Sequence, residues 1–231
     1  MNRSQAAAAD VDVGLRSYML RVYNYMALGV AFTGIVALLV ANNPAIMQAV
    51  ALGPFRWVLF IGIIGMGFMA PRIIMGGSSF AAQTCFWVYA AMWGALMAPM
   101  FHFYTGESMV RVFFITAAAF AGLSFYGYTT KRNLAPMGAF LAMSTFGLLI
   151  ALLVNVFFLQ SGMFHLGLSI VVVLVFAGLT AYETQMIRSM YLESDGSEAN
   201  ERKAIFGAFA LYGSFVTMFI WLLQIFGVAR D

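Results

Sequence analysis

The sequence predicts an all-α membrane protein, a polytopic bundle of seven transmembrane helices. Three observations predict it. Of 231 residues, 63% are hydrophobic and only 9% are charged, where a soluble domain carries about 25% charged residues. The mean hydropathy is +0.89. The apolar residues also fall in seven long runs, each near the roughly 20 residues that a helix needs to cross a hydrocarbon core about 30 Å thick. These runs are apolar on every side, whereas the strands of a membrane barrel alternate apolar with polar positions. Only a helix satisfies its own backbone over that length in lipid.

Taken in order, the runs cover roughly 22–41, 55–71, 82–101, 109–128, 135–158, 164–186 and 204–228. Residues 1–21 read as a cytoplasmic N-terminal tail, its alanine run at 6–9 and Asp10 frayed, and residues 22–228 as the transmembrane domain. A cleaved signal peptide ending at Leu39-Val40-Ala41 fits less well, because the apolar run begins only near Met26 and signal cores are short. Asn42-Asn43-Pro44 ends the first run, since proline denies a helix one donor. Pro71-Arg72 and Gly76-Gly77-Ser78-Ser79 close the second. Thr105-Gly106-Glu107, Lys131-Arg132-Asn133 and Gln160-Ser161-Gly162 separate the runs that follow. The longest polar stretch, Glu193 to Lys203, precedes the seventh. Ala118-x-x-x-Gly122 and Gly138-x-x-x-Ala142 read either as close-contact faces between helices or as ordinary small residues.

Charge sets the expected topology and excludes other classes. Twelve Lys and Arg against nine Asp and Glu are too few and too scattered for a nucleic-acid footprint. With the N-terminus in the cytoplasm, Arg3, Arg16, Arg21, Arg72, Lys131, Arg132, Arg188, Arg202 and Lys203 face inward. Only Arg56, Arg111 and Arg230 then face outward, which is the cation bias expected of an inner-membrane protein. Seven spans place the C-terminus outside. The lone Cys85 cannot form an intrachain disulfide. Zinc-peptidase, serine-hydrolase and phosphate-loop motifs are absent, so neither an enzyme nor a cofactor is expected. His102 and His165 fall near span ends and read as interfacial. Ser124 reads as a serine bonded back to its own helix.

Ionisable groups inside a membrane are costly and are functional suspects. Asp10, Asp12, Glu107, Glu193, Asp195, Glu198, Glu201 and Asp231 fall in the tail, in loops or at the end. Glu183 is then the one acid within a predicted span. It sits five residues before Arg188, about 7–8 Å deeper along a helix. Two readings stand: an interfacial Glu reaching the headgroups, or a carboxylate facing a polar cavity. In the last span, Ser214, Thr217, Trp221 and Gln224 share one helix face. They would form a cavity wall or interhelical glue. Arg72 and Asn155 are further polar candidates.

Four stretches resemble the Bax inhibitor family, the transmembrane Bax inhibitor motif proteins, in its bacterial branch. They are Leu20-Arg21-Val22-Tyr23, the segment from Phe113 to Leu134 with Tyr126-Gly127-Tyr128-Thr129, the segment Ala181-Tyr182-Glu183-Thr184-Gln185, and Ala210-Leu211-Tyr212 with Phe215 and Phe219. The resemblance implies a seven-helix bundle in the cell inner membrane with the last helix near its centre. It also implies a pH-sensitive calcium leak, sensed by a pair of acids in the sixth and seventh spans and latched by an arginine of the second. Glu183 matches the sixth-span acid and Arg72 the latch. The seventh-span acid is replaced by Ser214, and the second span carries no acid between Phe55 and Ala70. Two close carboxylates share protons, which one cannot do. Calcium prefers 6–8 oxygens, so Glu183 with Ser214, Thr217 and backbone carbonyls would hold this transported ion only weakly. Two functions are therefore expected. One is a cation leak for calcium or protons, with Glu183 as its titrating gate, Arg72 as the gate's counter-ion, and Ser214, Thr217 and Asn155 along the path. The other is a non-conducting regulator of partner membrane proteins, with the lipid bilayer as common partner to both.

Overall fold

The computed structural model describes residues 3–51 and 53–230. The side chains of Arg3, Asp10 and Asp12, and the whole of Asp231, lie outside the described residues. The chain forms α1 (Arg3–Ala41), α2 (Pro44–Ala51), α3 (Phe55–Gly76), α4 (Ser79–Met97), α5 (Met100–Phe103), α6 (Gly106–Thr129), α7 (Ala135–Val154), α8 (Gly162–Met190) and α9 (Ser197–Phe226). Among the described residues the only β feature is an isolated bridge between Tyr104 and Ala229. Seven helical segments are long and apolar enough to cross a membrane: Val13–Ala41, Phe55–Gly76, Ser79–Phe103, Gly106–Thr129, Ala135–Leu159, Gly162–Met190 and Ser197–Phe226. Of these, Ser197–Phe226 is the most buried, at 67% of its apolar window, and Ala135–Leu159 the least, at 11%. The last helix is therefore a core helix, and α7 leaves most of its surface exposed.

Three boundaries differ from the sequence expectation. The backbone from Arg3 is helical and continuous with the first span, not a frayed tail. Pro71 does not end the second span, because α3 carries it internally and runs on to Gly76. A proline costs a transmembrane helix less when other groups take up the freed carbonyls. The carbonyl that Pro71 frees is that of Gly67, four residues earlier; separately, at the end of α3, Arg202 Nη1 donates to Met75 O and Gly77 O at 3.3 and 2.6 Å. Finally, α9 starts at Ser197, so most of the polar stretch to Lys203 is helix and not loop. Lys203 holds that start in place, donating to Met190 O at 2.8 Å and pairing with Asp195.

The chain folds as two compact units, one of Met1–His102 with Ile187–Tyr212, the other of Phe103–Met186 with Gly213–Asp231. In the first unit α4 packs against both α1 and α3. Its centre is aromatic: Tyr212 lies edge-on to Phe86 and Tyr89, with centroids at 5.7 and 5.8 Å. Thr33 of α1 meets the Tyr212 hydroxyl at 2.5 Å.

The second unit is built on a close approach of α6 and α8. The Thr184 hydroxyl, which donates to Thr180 O at 2.8 Å, meets Ser124 Oγ at 3.2 Å, so Ser124 serves a neighbouring helix. Gly138 lies under the Tyr182 ring, whereas Ala118 and Gly122 are exposed. The first small-residue motif is therefore not a contact face. Phe113, Phe120, Phe215 and Phe219 interlock as edge-to-face pairs. After α7 the residues Asn155–Leu159 form a single π-helical turn. Gln160 follows in the left-handed region at φ 46°.

Gln185 closes the loop before α7 by accepting the Leu134 N–H and donating to Arg132 O, both at 2.8 Å. Gln185→Leu leaves both backbone groups without that partner, at about 1–3 kcal/mol. The expected result is a lower melting temperature in detergent, with faster amide exchange confined to residues 130–134. Unchanged exchange there would remove Gln185 from the loop's support.

Candidate functional site

The candidate site lies in the second unit, where α8 and the second half of α9 meet. Both helices are apolar over several turns, so each polar side chain on their facing sides must find a partner or be left unsatisfied in a medium without water. Glu183 is partly buried on α8, and buried Ser214 on α9 donates its hydroxyl to the Glu183 carboxylate at 2.7 Å. This is an ordinary length for a hydroxyl hydrogen bond to oxygen. The pair, selected from two spans far apart in sequence, is thus in direct contact. The Glu183 side chain is therefore engaged by a neighbouring helix.

The remaining sequence candidates divide. Thr217, one turn beyond Ser214, is partly buried and has no hydrogen-bond partner among the described residues. Asn155 is buried, but it is consumed locally: its Oδ1 accepts the Ser161 N–H at 3.1 Å and its carbonyl accepts the Gln160 N–H at 2.7 Å. Asn155 therefore stabilises the π-turn exit from α7. Arg72 belongs to the first unit, is exposed on α3, and enters neither of the ion pairs found among the described residues, Arg111–Glu107 and Lys203–Asp195. The Glu183–Ser214 contact stands without it.

Two features escaped the sequence reading. At the far end of the α9 stripe, Gln224 Oε1 lies 2.6 Å from His165 Nε2, and the Trp221 ring stacks on His165 at 5.4 Å. His165 is therefore held between helices and is not a free interfacial ring; the shared face of Trp221 and Gln224 was the available signal. In the first unit, Glu201 lies within the last span and not in a loop. Gln83 Nε2 donates to its Oε1 at 2.8 Å and the Tyr25 hydroxyl donates at 3.3 Å. The early start of α9 hid it.

Among the described residues no three His, Cys, Asp or Glu side chains converge on one point. The site offers one carboxylate and one hydroxyl, a set that can exchange a proton and reorganise a helix contact. Residues 15–231 match the family described as "Inhibitor of apoptosis-promoting Bax1". Relatives include an uncharacterized protein of Rickettsia prowazekii, 39% identical over 95% of this chain and 93% of its own length. The inner membrane protein YbhL of Escherichia coli is 36% identical over 94% of each chain. An uncharacterized Caulobacter vibrioides protein is 37% identical over 97% of this chain and 94% of its own.

Proposed function

The chain belongs to the Bax inhibitor family of multi-pass inner-membrane proteins, and from that premise we propose that it is a pH-sensitive cation leak with Glu183 as its titrating gate. One observation carries the reading: the Ser214 hydroxyl donates to the Glu183 carboxylate at 2.7 Å between two membrane-spanning helices. An ionised carboxylate accepts that bond with the help of its charge. Protonation removes the charge, weakens the bond and loosens α8 from α9. Flux therefore rises as the pH falls through the titration of Glu183.

The test is cation and proton flux through the purified protein in liposomes over a range of pH. Glu183→Gln mimics the protonated side chain permanently, so its flux is expected to be high and to lack the acid-induced rise. A Glu183→Gln profile that overlays the unmodified protein removes Glu183 from gating. A second reading, a non-conducting regulator of other membrane proteins, is favoured by the single carboxylate at the site. It predicts no flux at any pH and a reproducible crosslinked partner in intact membranes.

A further inference from the structure

The stripe on α9 does not end at the gate. Ser214, Thr217, Trp221 and Gln224 follow one another at helical spacing over about 15 Å. At one end Ser214 meets Glu183 of α8, and at the other Gln224 meets His165 of α8. Glu183 stands 18 residues after His165, and at 3.6 residues per turn that is about five full turns. Both titratable side chains therefore leave α8 on the same face. Between them that face carries Ser169, buried Val172, Phe176 and buried Thr180. Thr180 is turned onto its own helix at Phe176 O, 2.8 Å, and onto the Met218 sulfur at 3.7 Å. The seam between α8 and α9 is thus polar and titratable at its two ends and mainly apolar in its middle.

We propose that His165 is the charge-selective residue at the second mouth of this seam, admitting a cation when its imidazole is neutral and repelling it when protonated. The proposal rests on the leak reading and assigns that path its other end. Gln224 Oε1 faces His165 Nε2 at 2.6 Å, and the Ser169 hydroxyl, which donates to His165 O at 2.8 Å, lies 3.5 Å from the same oxygen. With an amide oxygen as its partner, the neutral ring is held in the tautomer with hydrogen on Nε2, and the charged ring carries one there too, so the bond persists in either state. The ring therefore stays in place while its charge changes. Among the described residues no acid contacts it: the groups bonded to or packed on His165 are Gln224, Ser169 and Trp221. Among the other elements of the unit, α7 and the α9 residues 213–226 carry no charged residue. On α6, Glu107 and Arg111 pair with each other and are exposed, and Tyr126 and Tyr128 sit at its opposite end. The neighbouring connections hold Tyr104 and the exposed Arg230, whose backbone N–H donates to Phe103 O. A bare glutamine–serine contact would bind the helices equally well; a histidine adds a switchable positive charge at the path's edge.

The two ends should oppose each other. Acid opens the Glu183 end and charges the His165 end, so flux through the unmodified protein is expected to pass through a maximum as the pH falls. The experiment measures K⁺ and Ca²⁺ flux through the full chain in phosphatidylethanolamine–phosphatidylglycerol liposomes. His165→Gln keeps a donor to Gln224 but cannot charge; its flux is expected to rise on acidification without the later fall. At the acid end it should exceed the unmodified protein by about tenfold for K⁺, the effect of one unit charge at roughly 10 Å and an effective dielectric near 20, and by more for Ca²⁺. His165→Arg keeps the charge at all pH and should hold flux low throughout. Glu183→Gln should retain only the acid-side fall. If Glu183→Gln behaves so while His165→Gln and His165→Arg both overlay the unmodified protein, the His165 assignment is overturned and the gate reading survives. If nothing conducts, or Glu183→Gln changes nothing, the leak reading itself fails and takes the second mouth with it.

Discussion

Gly127→Ala is expected to lower the stability of the protein by about 3 kcal/mol or more, near the upper end of what overpacking usually costs. The residue is buried on α6 where that helix crosses α8. A Cβ built on it would collide with Ala181 O and lie 2.9 Å from Ala181 C and 3.0 Å from Ala181 Cα. The obstacle is backbone, so no rotamer change can relieve it. The two helices must move apart, and the neighbouring Thr184–Ser124 hydrogen bond, 3.2 Å long, goes with them. The control is Gly122→Ala on the same helix, where the added methyl meets nothing within 4 Å. There only helix propensity acts, and the change should be neutral or stabilising by up to about 1 kcal/mol. Thermal unfolding of both variants in detergent, followed by helical circular dichroism or by retention of the monodisperse peak, separates the two cases. Equal melting temperatures would show that α6 and α8 do not approach as described. Because Ala181 is two residues from Glu183, Gly127→Ala should also disturb the Glu183–Ser214 contact and raise basal flux.

Tyr212→Ala should cost about 3–5 kcal/mol, the range for removing a large aromatic from a packed interior. Tyr212 is fully buried and its ring is enclosed edge-on by Phe86 and Tyr89. Tyr212→Phe should cost only about 1 kcal/mol. The reason lies in Thr33, whose single hydroxyl proton goes to Gly29 O at 2.9 Å or Ala90 O at 3.0 Å. Tyr212 must then be the donor in its 2.5 Å contact with Thr33. Deleting that donor leaves Thr33 still bonded to a carbonyl and no buried proton stranded. Guanidinium or thermal denaturation of the two variants should therefore give effects differing at least threefold. A phenylalanine variant as unstable as the alanine variant would mean that the hydroxyl, not the ring, organises this core.

The site was legible to unequal degrees, and each case has a cause. Glu183 stood out because a carboxylate within an apolar run is a local contradiction visible in one dimension. Ser214 stood out as one of four polar positions at helical spacing. Glu201 did not, since its apparent loop hides the first two turns of α9, which are polar. Lys203 and Arg202 tie these turns to carbonyls at the ends of α8 and α3. Asn155 looked like a path residue but is spent on a turn whose Gln160 takes a left-handed conformation. His165 read as an interfacial ring, and its contacts with Gln224 and Trp221, 59 and 56 residues away, appear only in the folded chain. The Ala118–Gly122 pair had the better spacing for a helix contact, yet the contact is made by Gly127.

What the amino-acid order settled alone is the number of spans and their medium. Transfer of a run into lipid is a property of that run: each segment meets acyl chains or fails to, whatever its neighbours do. Which faces meet depends on the register between helices, and a shift of one residue turns a side chain by about 100°. The Glu183–Ser214 bond, the Gly127–Ala181 approach and the Gln224–His165 contact all depend on such registers. They come from packing many residues at once, so the tertiary structure alone decides them.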